Sequence, residues 1–183
     1  MTHQHTAFSP YWLRYRKPDP HHAALRPDNG WHRRLWWRGG FPVPYLAETD
    51  ERARQWQEDM ERTVIERDLA QFGVSESPAV MRRFWAMVAH HHGQTWNSSD
   101  IGRSLGVTEK TARRYLDALS ATFLVRQLPP WFENLGKRQV KSPKVYVRDS
   151  GLLHALAGLP TQRAVEESPR LGASWEGFVV EET

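Results

Sequence analysis

Apolar residues recur at three- and four-residue steps over much of the chain, the spacing of helices that bury one face. From Asp50 to Phe72, the residues Ala53, Trp56, Met60, Val64 and Phe72, with Ile65 and Leu69 beside them, share one face of a predicted helix. Thr49 or Asp50 can cap its start and Gly73 can end it. A second helix is predicted from Pro78 to His92. Val80, Phe84, Met87, Val88 and His91 face inward there, Pro78 suits the first turn, and Gly93 suits the stop. The stretch NSSDIGRSLGVTEKTARRYLDAL, from Asn97 to Leu119, reads as two helices around a tight turn. Asn97 caps a short helix bearing Ile101 and Leu105, and Gly106 supplies a left-handed stop. Thr108 then caps a longer helix with Ala112, Tyr115, Leu116 and Leu119 inward.

Beyond that point the pattern changes. TFLVRQL and KVYVR have strand character and are separated by PPWFENLGKRQVKSP. DSGLLHALAG returns to helix from an Asp149 or Ser150 cap, and GASWEGFVVEET begins another, with Trp175, Phe178 and Val179 as its apolar stripe. The predicted fold is mainly α with a small β-ribbon, three helices followed by two strands in a winged-helix (helix-turn-helix) arrangement. By contrast, Met1 to about Arg38 is rich in proline, histidine and arginine, shows no sustained period, and reads as loop. The expected divisions are a poorly ordered segment over 1–34, a helical winged-helix domain over 35–160, and a loop with the first helix of an incomplete C-terminal subdomain over 161–183.

Composition narrows the function without choosing one. A chain of 183 residues is long enough to bury a sizeable core. Lys and Arg number 25 against 21 Asp and Glu, and a net charge of +4 permits an anionic partner without demanding one. The absence of cysteine excludes disulfides and thiolate metal sites, and fits a cytoplasmic location. No run reaches the length of a membrane span and the N-terminus lacks a signal-peptide centre, so no membrane partner is expected.

The strings LWWRGGFPVPYLA, HHHGQTWNSSDIGRSLGV, TARRYLDALSATFLVRQLPPWFENLGKRQVKSPKVYVRDSGLLHAL and GASWEGFVVE together resemble one family. It is the C-terminal domain of bacterial and archaeal AAA-type ATPases, domain of unknown function 4143, and the resemblance covers about Leu35 to Glu182. It implies a P-loop ATPase domain ahead of the module and a restriction-endonuclease-like core after it. No G-x-x-x-x-G-K-[ST] is present, and the nearest string, GVTEKT, has one glycine. Without that loop nothing cradles the phosphates, so neither ATP hydrolysis nor a cofactor is expected of this chain. By the resemblance, Glu176 takes the place of the helix glutamate of a nuclease core. One carboxylate does not hold a catalytic Mg²⁺, and the chain reads as the start of a truncated nuclease-like region.

The candidate contacts are therefore with macromolecules. Thr108, Lys110, Thr111, Arg113 and Arg114 form the polar face of the helix after Gly106, where cations serve phosphates or guanine edges, although Glu109 and Asp117 dilute the field. Lys137, Arg138, Lys141 and Lys144 cluster in the connection between the strands with no acid among them, as a wing touching DNA backbone does. Trp131 and Phe132 could stack on bases or pack beneath that wing. His90, His91 and His92 are adjacent on a helix and point in different directions, which argues against one shared ion. Asp149, Ser150 and His154 supply the residue types of a hydrolase triad without a G-x-S-x-G elbow, and read more simply as a cap and a helix. Glu66, Arg67 and Asp68 read as a helical charge cluster. The resulting expectation is a non-catalytic accessory module binding DNA through a basic wing. The alternatives are a protein-interaction module docking on an ATPase domain of another chain, or a remnant without function.

Overall fold

The computed structural model describes residues 30–130 and 142–182. The described chain is mainly helical with one small antiparallel sheet. Helix α1 (Trp31–Arg38) and the short α2 (Pro42–Leu46) lead into α3 (Asp50–Thr63). A π-helical turn (Val64–Asp68) joins α3 to a last helical turn, α4 (Leu69–Gln71). Then come α5 (Pro78–His90), α6 (Ser98–Leu105) and α7 (Glu109–Ala121). Strands β1 (Val125–Leu128) and β2 (Lys144–Val147) pair antiparallel, with Val125 opposite Val147 and Leu128 opposite Lys144. Helices α8 (Ser150–Leu156), α9 (Gln162–Glu166) and α10 (Leu171–Glu182) complete the fold.

Side-chain caps set the helix starts, with Thr49, Asn97, Thr108 and Asp149 among the caps the sequence offers and Ser77, just before Pro78, an addition. Thr49 accepts the Arg52 N–H, Ser77 that of Val80, Asn97 those of Ser99 and Asp100, Thr108 that of Thr111, and Asp149 that of Leu152. Each satisfies a donor that the first helical turn leaves unpaired. The core is one cluster in which Phe84, Trp85 and Val88 of α5 meet Ile101 of α6, Tyr115, Leu116 and Leu119 of α7, and Val145 and Val147 of β2. Phe84 lies edge-on to both Trp96 and Tyr115, with ring centroids 5.9 and 5.4 Å away, a favoured aromatic geometry.

Three expectations change. Residues 31–38, expected as loop, form α1, so a boundary at residue 34 would cut a helix. This helix forms because Leu35 and Trp36 are buried, Trp36 against residues far along the chain: its indole N–H donates to Ser174 Oγ at 3.0 Å. Residues 161–183 likewise do not stand apart, since α10 packs on α8 and carries Ser174 to His154. Phe72, expected on the inward face of the long helix, is 43% exposed. The helix ends before it, the chain reverses at Gly73, and Val74 fills the buried place instead. Along α5 the buried face is Met81, Phe84, Trp85, Val88 and Ala89, with Val80 and Met87 at its edge.

Candidate nucleic-acid interface

The α6–α7 pair is built locally. Gly106 adopts φ +80°, a conformation that favours glycine, and the Val107 N–H returns to the Gly102 carbonyl at 2.9 Å. Arg83 of α5 donates to the Ser104 carbonyl at 2.7 Å, tying α6 to the helix beneath it. On α7, Ala112, Tyr115, Leu116, Ala118 and Leu119 are buried, and burial pushes the Tyr115 hydroxyl pKa up to about 12. Glu109, Lys110, Arg113, Arg114 and Asp117 are exposed. Arg113 lies 3.7 Å from Asp117 one turn on, and the Arg114 guanidinium sits 5.7 Å from the Tyr115 ring centroid. Lys110 makes no ion pair among the described residues. Thr111 is half-buried and belongs to the cap, its hydroxyl 2.9 Å from that of Thr108. The outward face of α7 thus offers Lys110, Arg113 and Arg114, one of them shared with an acid.

The strands are occupied differently. Lys137, Arg138 and Lys141 lie outside the described residues, as do Trp131 and Phe132. Lys144 opens β2 and its ammonium donates to Glu176 of α10 at 3.0 Å. The same carboxylate oxygen accepts the Tyr146 hydroxyl at 2.6 Å. These bonds hold the Glu176 carboxyl below its usual range and raise the Lys144 ammonium. Five residues further along α10, Glu181 accepts from Arg126 of β1 at 2.5 and 3.1 Å and from Arg148 at 2.7 Å. The sequence pattern alone does not single out Arg126, Arg148 or Glu181. Alternation along the strands could have flagged the arginines, because Arg126 follows buried Val125 and Arg148 follows buried Val147.

The histidines separate. His90 is exposed, and His91 bonds the Met87 carbonyl through Nδ1 at 3.0 Å. His92 is buried between a strand and a helix: its Nδ1 accepts the Val147 N–H at 3.0 Å, and Nε2 donates to the Ala173 carbonyl at 3.1 Å. A neutral ring with the proton on Nε2 satisfies both partners, and burial lowers its pKa to about 4. Gly177 faces this ring, and a Cβ there would stand 2.2 Å from His92 Nε2. Among the described residues, no three His, Asp or Glu side chains converge as metal ligands do.

Asp149, Ser150 and His154 also part company. The Asp149 carboxylate accepts the Leu152 and Gly40 N–H groups, both at 2.7 Å, while burial pushes its carboxyl pKa up to about 6. Ser150 Oγ reaches the Leu35 carbonyl. His154 Nδ1 donates to the Trp37 carbonyl at 3.1 Å, so Nε2 accepts the Ser174 hydroxyl at 2.8 Å. Burial brings this histidine to a pKa of about 4 as well. The chain Trp36–Ser174–His154–Trp37 is a closed buried network that pins α1, α8 and α10 together.

Residues 30–163 match the family model of domain of unknown function DUF8612. The chain is 54% identical over 149 residues to an uncharacterized protein of Mycobacterium tuberculosis, Rv2008c, and equally to an uncharacterized protein of Mycobacterium bovis, Mb2031c. The match covers 81% of this chain and 34% of each relative, so the shared region is about a third of those proteins. No solved structure matches. These findings correct the resemblance to the C-terminal domain of AAA-type ATPases, because the matched family is a different one. The strings that carried the resemblance spell caps and close approaches, such as Asp149 at the start of α8 and Gly177 against His92, and such local geometry is not specific to one family.

Proposed function

The chain belongs to the DUF8612 family, and from the surface it presents we propose that it is a non-catalytic winged-helix module that binds nucleic acid. Two elements support the reading. The order of elements runs helix α5, a short segment bridged to β2 (Thr95 pairs Lys144), helices α6 and α7, then strands β1 and β2. That is the order of a winged helix, with α7 as the helix offered to a groove. The observation that carries the proposal is the outward face of α7, where Lys110, Arg113 and Arg114 stand exposed in the first two turns. Lys137, Arg138 and Lys141, between the strands, are the wing cations of the same reading.

Neither a P-loop nor a nuclease centre enters this proposal. Glu176, the glutamate of the nuclease-like reading, has its carboxylate bonded by Tyr146 and Lys144. The test is binding to a labelled random-sequence duplex across a salt series. Each phosphate that a cation neutralises adds about 0.9 to the slope of log K against log salt. Changing Lys110, Arg113 and Arg114 to alanine should therefore flatten the slope by about 2.7. Changing Lys137, Arg138 and Lys141 should have a similar effect. An unchanged slope in both variants, or no binding by the native chain at low salt, refutes the reading.

A second reading rests on α10. Leu171, Trp175 and Val179, one turn apart, are 38, 47 and 42% exposed. An apolar stripe of this kind fits a protein-docking module. The ATPase domain of another chain is the partner implied by the resemblance that the family match overturns. What stands without it is an apolar partner surface, whose binding would vary little with salt.

A further inference from the structure

The inner and outer faces of the β1–β2 ribbon differ in kind. Val125, Val145 and Val147 are buried in the core cluster. Across the ladder, Arg126 stands opposite Tyr146 and Leu128 opposite Lys144, and alternation turns this set to the other face. That face, with Arg148 at its end, carries three cations around one phenol. A surface of this composition suits phosphate binding. It is covered by α10, whose carboxylates meet the cations one for one or one for two: Glu176 takes Lys144 and Tyr146, and Glu181 takes Arg126 and Arg148.

The cover is more than surface pairing. Glu181 is only 11% exposed at its side chain, with Arg126 at 37% and Arg148 at 23%. Two residues of the same helix edge, Ala173 and Gly177, close on His92 beneath the ribbon. The ribbon lies within residues 30–163 that match the family, whereas α10 lies outside them.

We propose that α10 is an acidic mask over a second phosphate-binding face of the module, with Glu176 and Glu181 standing where backbone phosphates would bind Lys144, Arg126 and Arg148. The proposal rests on the nucleic-acid reading and adds a regulated surface to it: whatever lifts α10 off the ribbon exposes three more cations to the same duplex.

The experiment is the salt series on the full chain, with a random-sequence DNA duplex as the probe. Glu176→Gln alters a half-exposed pair without threatening the core, and should steepen the slope by about 0.9, one cation's share. Glu176→Gln with Glu181→Gln should steepen it by about 2.7, and adding Arg126→Gln, Lys144→Gln and Arg148→Gln should restore the native slope. A control matched in charge to the single variant, Glu51→Gln, touches no ribbon cation and should leave the slope near native. Equal slopes for the single variant and the control overturn the mask, even if the double variant does not fold. Failure of the α7 reading looks different: the Lys110, Arg113 and Arg114 variant then keeps the native slope while the Glu176→Gln change still steepens it.

Discussion

Acid should unfold this protein through two histidines that cannot take a proton where they sit. His92 and His154 each have one ring nitrogen donating to a backbone carbonyl and the other accepting, from the Val147 N–H and the Ser174 hydroxyl respectively. Protonation would turn each acceptor into a donor facing another donor. Both pKa values accordingly fall from 6.5 to about 4 by burial. The unfolded chain binds these protons more tightly than the native one, so stability is full above pH 6.5 and is lost as pH falls toward 4. At pH 5 each histidine should have cost about 2 kcal/mol, and the pair about 4 kcal/mol. Asp149 works the other way. Its carboxyl is raised from 3.8 to about 6, so the native state binds that proton more tightly and gains about 1 kcal/mol between pH 7.5 and pH 5. The assay is urea unfolding at pH 7.5 and pH 5 for the native chain, His154→Gln, and His92→Gln with His154→Gln. Comparing each protein's own pH difference cancels the fixed cost of the substitution. The single variant should lose about half of the histidine effect. The double variant should lose all of it, leaving a small gain on acidification from Asp149. If all three proteins lose equal stability at pH 5, the locked-neutral histidines are not the cause.

The same junction sets two further outcomes. Ser174→Ala leaves the Trp36 indole N–H and His154 Nε2 unpaired in the interior, and should cost about 2–4 kcal/mol at neutral pH, read as a lower urea midpoint. Gly177→Ala gains about 1 kcal/mol of helix propensity but drives a Cβ to 2.2 Å from His92 Nε2, so it should destabilise by about 1–2 kcal/mol net. A Gly177→Ala protein as stable as the native one would show that the ring moves aside freely.

The parts of this protein held by near neighbours are legible from residue order alone. Caps at Thr49, Asn97, Thr108 and Asp149 need only a donor two or three residues ahead, and Gly106 needs only its own backbone freedom. The α6–α7 pair and its exposed cations can be read for that reason, and so can the two strands. What depends on distant residues cannot. Trp31–Arg38 carries no signal of its own strong enough to read as a helix, and becomes one where Trp36 and the Trp37 carbonyl find Ser174 and His154 more than a hundred positions away. Lys144 reads as a free wing cation because no acid lies between it and Lys137, yet Glu176 is 32 residues on and 3.0 Å away. Arg126 and Glu181 meet across 55 residues in the same way. Caps and turns are written in short-range geometry, whereas a charge's partner and a helix's buried face are chosen by packing. Which surface of this protein is left open to a ligand is therefore a property of the packed fold.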